Sequence, residues 1–175
     1  MTSSRSQIDA WLAASALISD APATLDDDGY WTYSGSSVNL TLAVSEESFF
    51  VCIPLLTLGS DESAVPSEFF SELLKMQLRC ELPEGLMFGL NEEDGRVVLF
   101  GRFGIRFFDG TAFEKLIRKS VDAGNRLRSR LFELVDGRAE SPTMSIRETV
   151  NPIQSEVHLT DRELLMRQMM NFVAA

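Results

Sequence analysis

Histidine and cysteine are scarce in this sequence of 175 residues. His158 is the only histidine, and Cys52 and Cys80 lie far apart, outside any CxxC pair. A structural zinc site needs four Cys or His ligands, which this chain does not supply in any usual set. The lone histidine lies in a polar stretch, so no Ser-His-Asp or Cys-His arrangement is indicated. We predict no metal, no cofactor and no enzymatic activity.

The sequence also lacks long apolar runs and an excess of basic charge. No apolar segment approaches the roughly 20 residues of a membrane helix, and the N-terminus does not resemble a signal peptide. The net charge is −10, and residues 1–100 hold 4 basic and 16 acidic residues. Such a chain repels phosphate backbones. We expect a cytoplasmic protein that binds neither membrane nor nucleic acid. The basic residues within 111–135 are interpreted as the solvated face of a helix.

Three consecutive aspartates, Asp26 to Asp28, precede Gly29 and suggest three alternatives. A calcium loop needs ligands at alternate positions and a glutamate at the twelfth, where this sequence has Ser37. Adjacent aspartates cannot easily act as a pair of catalytic carboxylates, because successive side chains of a strand point to opposite faces. The prediction is therefore a hairpin turn with Asp28 and Gly29 at its tip. The segment 90–101 repeats this pattern.

Helical periodicity indicates three helices, over 6–19, 67–80 and 111–135. Ser6 and Ser67 are the predicted caps of the first two, and Thr111 with Glu114 forms a predicted capping box for the third. A further short, methionine-rich helix is predicted after Thr160. It would follow a linker, so residues 1–135 form the predicted domain and residues 136–175 the linker and C-terminal helix.

Alternating apolar residues indicate strands. One follows Gly29, others cover 38–44 and 49–56, and 86–108 reads as a hairpin. Pro54 cannot donate to a strand ladder, so an edge or a bulge is expected there. The fold class is α+β, with a mainly antiparallel sheet and three helices in the order α-β-β-β-α-β-β-α, plus a C-terminal helical extension.

Several strands are apolar on both faces. Phe50, Cys52 and Leu56 alternate with the apolar residues of the other face, as do Val98 and Phe100. A second apolar face is covered either by the chain itself, for example by its C-terminal segment, or by another chain. The sequence leaves both alternatives open.

The element order and two motifs resemble class I type III secretion chaperones, the Tir-chaperone-like family. The first motif is the Leu-Asp-Asp-Asp-Gly turn at 25–29 after an amphipathic first helix. The second is the hairpin from Gly89-Leu90-Asn91 to Val97-Val98-Leu99, ahead of a long final helix. The resemblance covers about residues 6–135. It implies a small, acidic, cytoplasmic homodimer without ATPase activity.

The same resemblance implies the partners. Such a dimer binds the N-terminal chaperone-binding segment of one or more secreted effectors in extended form, through apolar burial and strand addition. It keeps the effector soluble and secretion-competent and directs it to the secretion ATPase. The alternative is a regulatory interaction protein of the same fold that sequesters a transcription regulator or a secretion component. An enzyme would need a cleft with convergent titratable groups, and the sequence shows none.

The resemblance also implies where the two sites lie. The first helix and the sheet receive the effector, and the second helix with the strand after it forms the dimer interface. The residues that correspond to the effector site are Ile8, Trp11, Leu12, Leu40, Leu42, Val51 and Phe100. The residues that correspond to the dimer interface are Phe69, Phe70, Leu73, Leu74, Leu86 and Phe88. A slip of one residue in register would exchange the two strand faces.

Overall fold

The computed structural model of the protein describes residues 3–15, 24–58, 67–79, 81–91 and 95–136, which all belong to one compact unit. The predicted α+β fold and its element order are confirmed. The elements are α1 (Ser4–Ala14), β1 (Tyr30–Ser34), β2 (Asn39–Val44), β3 (Ser48–Thr57), α2 (Ser67–Leu78), β4 (Met87–Asn91), β5 (Arg96–Gly104) and α3 (Gly110–Asp136). The helix predicted after Thr160 lies outside the described residues.

The five strands form one antiparallel sheet in the order β1-β2-β3-β5-β4. The central strand is β3, and β1 and β4 are the edges. The pairing of β3 with β5 shifts register between Pro54 and Leu56, so Pro54 is accommodated by a bulge in the central strand. This is one of the two solutions expected for a proline that cannot donate to the ladder.

One face of the sheet, which we call the helix-covered face, packs under α1 and α3. Phe49, Val51 and Ile53 of β3 point to this face and are fully buried in one core with residues of all three helices. The ring of Phe49 lies 5.4 Å from Phe103 and 5.4 Å from Phe113. Aromatic rings at such distances add about 0.5–1.5 kcal/mol per pair to the burial of their area.

Two predicted helix starts are wrong by a few residues. The cap of α1 is Ser3, whose hydroxyl oxygen accepts a hydrogen bond from the Ser6 amide at 3.2 Å. The cap of α3 is Asp109, whose carboxylate accepts from the Ala112 amide at 2.7 Å. The Asp109 carboxylate, two residues earlier, takes the role assigned to Thr111, and Glu114 instead pairs with Arg118 at 3.1 Å. Both corrections replace one good capping residue by another nearby.

The long second strand of the hairpin ends earlier than predicted. Strand β5 stops at Gly104, and Ile105–Phe107 form a 3₁₀ helix. The side chain of Phe107 is consequently 72% exposed instead of sharing a strand face with Phe103. Its ring packs under the Arg106 guanidinium, 4.7 Å from the ring centre.

The aspartate segment is a turn, as predicted, but it is not the tip of a hairpin, because residues 24–29 form no strand and the first strand of the sheet, β1, begins only after the turn. Gly29 has a φ of +85°, a value that favours glycine, and its amide donates to the Asp26 carbonyl at 3.0 Å. The Asp26 carboxylate accepts from the amides of Asp28 and Tyr30 at 3.1 and 2.9 Å. Arg5 of α1 donates to the carbonyls of Asp26 and Asp27. The turn therefore ties the first helix to the start of the sheet.

Candidate functional site: two apolar surfaces

The residues predicted for the dimer interface divide into an exposed and a buried set. On α2, Phe70 is 39% and Leu74 is 64% exposed, and Leu78 continues the same row at 81%. These three residues lie four positions apart, so they form one apolar strip on the helix surface, which we call the α2 stripe. Phe69, Leu73 and Leu86 are buried beneath it, and Phe88 is half-buried.

The side chain of Gln77 hydrogen-bonds α2 to the edge strand β4. The Phe88 amide donates to Gln77 Oε1 at 3.1 Å, and Gln77 Nε2 donates to the Leu86 carbonyl at 3.4 Å. Gln77 thus satisfies backbone groups on the outer edge of the sheet. Leu90, farther along β4, is 43% exposed. The α2 stripe and Leu90 consequently belong to one end of the sheet, held by the same helix–strand contact.

The residues predicted for effector binding are mostly in the core. Five of the seven are fully buried: Leu40, Leu42 and Val51 on the helix-covered face, and Ile8 and Leu12 on the side of α1 that packs against it. Their side chains offer no surface to a partner in this arrangement, because α1 and α3 already pack on that face. Trp11 and Phe100 are half-buried and accessible. The binding role of the seven stays a prediction, and any contact surface must come from Trp11, Phe100 and their exposed neighbours.

The other face of the sheet, which we call the second face, is also apolar. Its residues pair across strands, Cys52 with Phe100 and Pro54 with Val98 on β3 and β5, and Met87 with Phe100 on β4 and β5. None of them belongs to the core that the described helices share. Burial raises the pKa of the Cys52 thiol to about 12, against a smaller opposing effect of the Arg96 charge. This thiol is therefore an unreactive, neutral group.

Phe50 marks one end of the second face. It pairs across the strands with Arg102, whose guanidinium lies 5.3 Å from the centre of the Phe50 ring. Arg102 Nε also donates to Ser48 Oγ at 3.2 Å. Phenylalanine and arginine are both enriched where proteins bind one another.

The outer edge of β1 has two backbone positions that point away from the sheet. Tyr30 bonds on that side to Asp26, through both its amide and its carbonyl. The Gly35 amide, in contrast, donates toward β2, to the Val38 carbonyl at 3.0 Å. The direction of the backbone amide and carbonyl groups alternates along a strand. Those of Thr32 and Ser34 therefore point away from β2, on the same side as those of Tyr30. An added strand would pair there.

Sequence reasoning missed Leu78, Leu90 and Met87 as exposed apolar residues. Leu78 could have been found, because it extends the Phe70–Leu74 row by another four residues. Leu90 and Met87 could not, because both alternate normally within β4 and only the sheet edge exposes them. Among the described residues, no group of three or more His, Cys, Asp or Glu side chains could hold a metal ion.

Comparison with known proteins now decides the family. Residues 14–128, more than half of the sequence, match the Tir chaperone protein (CesT) family. The chain belongs to this family. The resemblance to class I type III secretion chaperones is thereby confirmed. A comparison with curated proteins finds no match. No helix in the described part of this chaperone is long and apolar enough to cross a membrane.

Solved structures show the same fold. The ExsC-ExsE complex contains a chain with a TM-score of 0.59 and 19% identity, covering 74% of this chaperone and 97% of that chain. The heterodimeric ExoU-SpcU complex of the Pseudomonas aeruginosa type III secretion system gives 0.52 and 20%, covering 74% and 98%. The HopA1-SchA chaperone–effector complex gives 0.50 and 14%, covering 70% and 91%.

Proposed function

We propose that this chaperone is a cytoplasmic homodimer without enzymatic activity. It binds the N-terminal chaperone-binding segment of one or more secreted effectors in extended form and keeps them soluble and secretion-competent. Family membership supports the general role, and the three matched structures above are each named as complexes. The observation that carries the proposal is the α2 stripe, because a chain of this acidity still exposes Phe70, Leu74 and Leu78 in one row.

We assign the α2 stripe to the dimer interface. A two-fold interface uses the same patch on both subunits, and an apolar row along a helix is self-complementary in an antiparallel pair. Leu90 extends the patch onto β4. Of the predicted interface residues, Phe70 and Leu74 would make the contact, while Phe69, Leu73 and Leu86 support the helix from the core side. Phe88 is held at the edge by Gln77.

We assign the effector to the second face and the β1 edge. An extended chain can add to β1 at Thr32 and Ser34 through backbone hydrogen bonds and place alternate side chains over the sheet. Phe50 and Phe100 offer accessible aromatic surface on this face, and Trp11 lies on α1, with its ring 5.4 Å from Phe113. The five buried residues then keep the sheet rigid behind the contact surface.

Affinity purification of the tagged full-length chain from its own cells, with mass spectrometry, tests this function. We expect a secreted protein whose N-terminal segment is protected from protease in the complex. Phe50→Asp and Phe100→Asp should lower its recovery at least tenfold without changing the dimer, because they place a charge among apolar contacts.

The matched control is Phe132→Asp, the same change at a 41% exposed position of α3. Full recovery by both second-face variants, or an equal loss in the control, would remove the assigned effector surface. A captured transcription regulator or secretion component in place of a secreted protein would favour the regulatory alternative.

A further inference from the structure

The basic side chains of the described region fall into two groups. Arg118 pairs with Glu114, Arg130 pairs with Glu81, and Arg5 donates to the aspartate turn. Lys115, Lys119 and Arg126, all on α3, are exposed and form no ion pair with another described residue. The second group is unusual in a chain with a net charge of −10, where carboxylates outnumber cations.

These three cations share one face of α3. Their positions, together with Asp122, are separated by four, three and four residues, which is the spacing of neighbours along one helix surface. At about 1.5 Å per residue the row is about 16 Å long. We call Lys115, Lys119 and Arg126 the basic row. Its length equals about five residues of an extended chain.

The C-terminal half of the basic row lines a cleft of about 630 Å³. The cleft residues are Glu81, Leu82, Pro83, Lys119, Asp122, Asn125 and Arg126. Glu81 is already neutralised, because its carboxylate lies 2.6 Å from Arg130 and 3.9 Å from Arg79. The charges left for a ligand are those of Lys119, Arg126 and Asp122, and their sum is positive.

The walls of the cleft suit a peptide. Leu82 and Pro83 provide half-buried apolar surface opposite the helix. Asn125 Oδ1 is shielded from water and accepts no hydrogen bond from the described residues. A buried acceptor without a donor is costly, and a backbone amide of a bound segment, after a small side-chain rotation, would supply the donor.

We propose that the basic row and its cleft bind an acidic segment of a protein partner. Three cations over about 16 Å match a few carboxylates, whereas nucleic acid would need many more phosphate contacts to overcome the acidic body. Repulsion by that body is screened beyond about 10 Å in salt, so the local charges decide short-range binding. None of the cleft residues belongs to the α2 stripe or the second face, and the inference does not rest on the function proposed for them.

The test measures anisotropy of a fluorescein-labelled twelve-residue peptide with four glutamates in a glycine–serine–leucine background. The full-length chain should bind it, and a matched peptide with glutamine in place of glutamate should bind at least about fivefold more weakly. Lys119→Glu with Arg126→Glu should weaken binding of the glutamate peptide about tenfold. A lysine peptide should bind this double variant more tightly than the wild type.

The control double variant is Lys75→Glu with Arg118→Glu. It changes the net charge by the same amount but alters cations that sit in exposed i,i+3 and i,i+4 pairs outside the cleft. It should shift binding less than twofold. Equal losses in the two double variants, or equal binding of the glutamine peptide, would overturn the proposal.

Two further outcomes would replace the proposed occupant. A change of oligomeric state in Lys119→Glu with Arg126→Glu, seen by sedimentation without peptide, would assign the cleft to a second copy of the chain. Tighter binding of a single-stranded DNA dodecamer than of the glutamate peptide would assign it to nucleic acid. Circular dichroism melts of both double variants should match the wild type, because all four positions are on the surface.

Discussion

The two faces of the sheet have nearly the same apolar character in the sequence, but the structure buries one completely and the other only in part, at Cys52 and Val98. Phe49, Val51 and Ile53 are fully buried under α1 and α3, whereas Phe50 and Pro54, their neighbours in the chain, remain partly exposed on the second face. Hydrophobicity alone therefore does not separate core from binding surface. The positions of the helices decide which face becomes the core. Contacts between residues far apart in the sequence determine those positions.

Helix α2 repeats the contrast within a single turn. Leu73 is buried in the core, and Leu74 is 64% exposed in the α2 stripe. Both are leucines on a helix that is apolar over a wide arc. In each case adjacent residues of the same type serve different purposes, so paired substitutions can measure the difference directly.

The largest expected effect separates Phe49 from Phe50. Phe49→Ala removes a ring in contact with three other rings and leaves a cavity, so it should lower the free energy of unfolding by about 3–5 kcal/mol. Phe50→Ala removes a half-exposed ring and one cation–π contact, and should cost about 1 kcal/mol or less. Urea unfolding followed by circular dichroism measures both.

Protein concentration must be equal in the two titrations, since a dimer unfolds in a concentration-dependent way. If Phe50→Ala cost as much as Phe49→Ala, the second face would be packed as tightly as the helix-covered face, and the assignment of the effector to it would fail.

A smaller effect distinguishes the two faces of α2. Leu74→Asp places a charge in the α2 stripe and should weaken dimerisation by about 2–3 kcal/mol, close to a hundredfold, while the monomer stays folded. Leu73→Asp buries the charge in the core and should unfold the chain instead. Sedimentation velocity over a range of concentrations, with circular dichroism on the same samples, gives both readouts.

Phe107→Asp is the matched control for Leu74→Asp. Phe107 is 72% exposed but lies on the 3₁₀ helix after β5, away from α2. Its substitution should leave the dimer intact. A Leu74→Asp protein that sediments like the wild type would exclude the α2 stripe as the interface.

Much of the fold follows from local patterns. Periods of two and of about 3.6 residues located all eight elements of the predicted domain, and the Pro54 bulge follows from a missing amide proton. The exact helix caps did not follow, because Ser3 and Asp109 compete with equally suitable residues three and two positions later. Propensity scales do not resolve such neighbours.

The binding surfaces were less predictable than the fold. The alternation of Leu40, Leu42 and Val51 correctly grouped them on one face, but nothing in the alternation indicates which face the helices cover. On α2 the wide apolar arc contained both Leu73 and Leu74, and only the direction of packing on β4, through Gln77, separates them. Long-range packing supplied the missing information in both cases.

The smallest effect concerns Cys52, the residue at the centre of the second face. Its pKa of about 12 lies above that of an unfolded thiol, so the folded state holds the proton longer than the unfolded state. The resulting stability is fully present below the unfolded pKa and is lost as the pH rises toward 12. Between pH 9 and pH 10 the loss should be about 1 kcal/mol.

Comparing the wild type with Cys52→Ala isolates this contribution, because the other groups that titrate in that range, Cys80 included, are present in both proteins. The difference between their free energies of unfolding should change with pH, the wild type losing more. A difference that is constant from pH 8 to pH 10 would mean that the native thiol ionises as readily as an unfolded one. The centre of the second face would then be open to water, which would make it a weaker platform for apolar contacts than the neighbouring rings of Phe50 and Phe100.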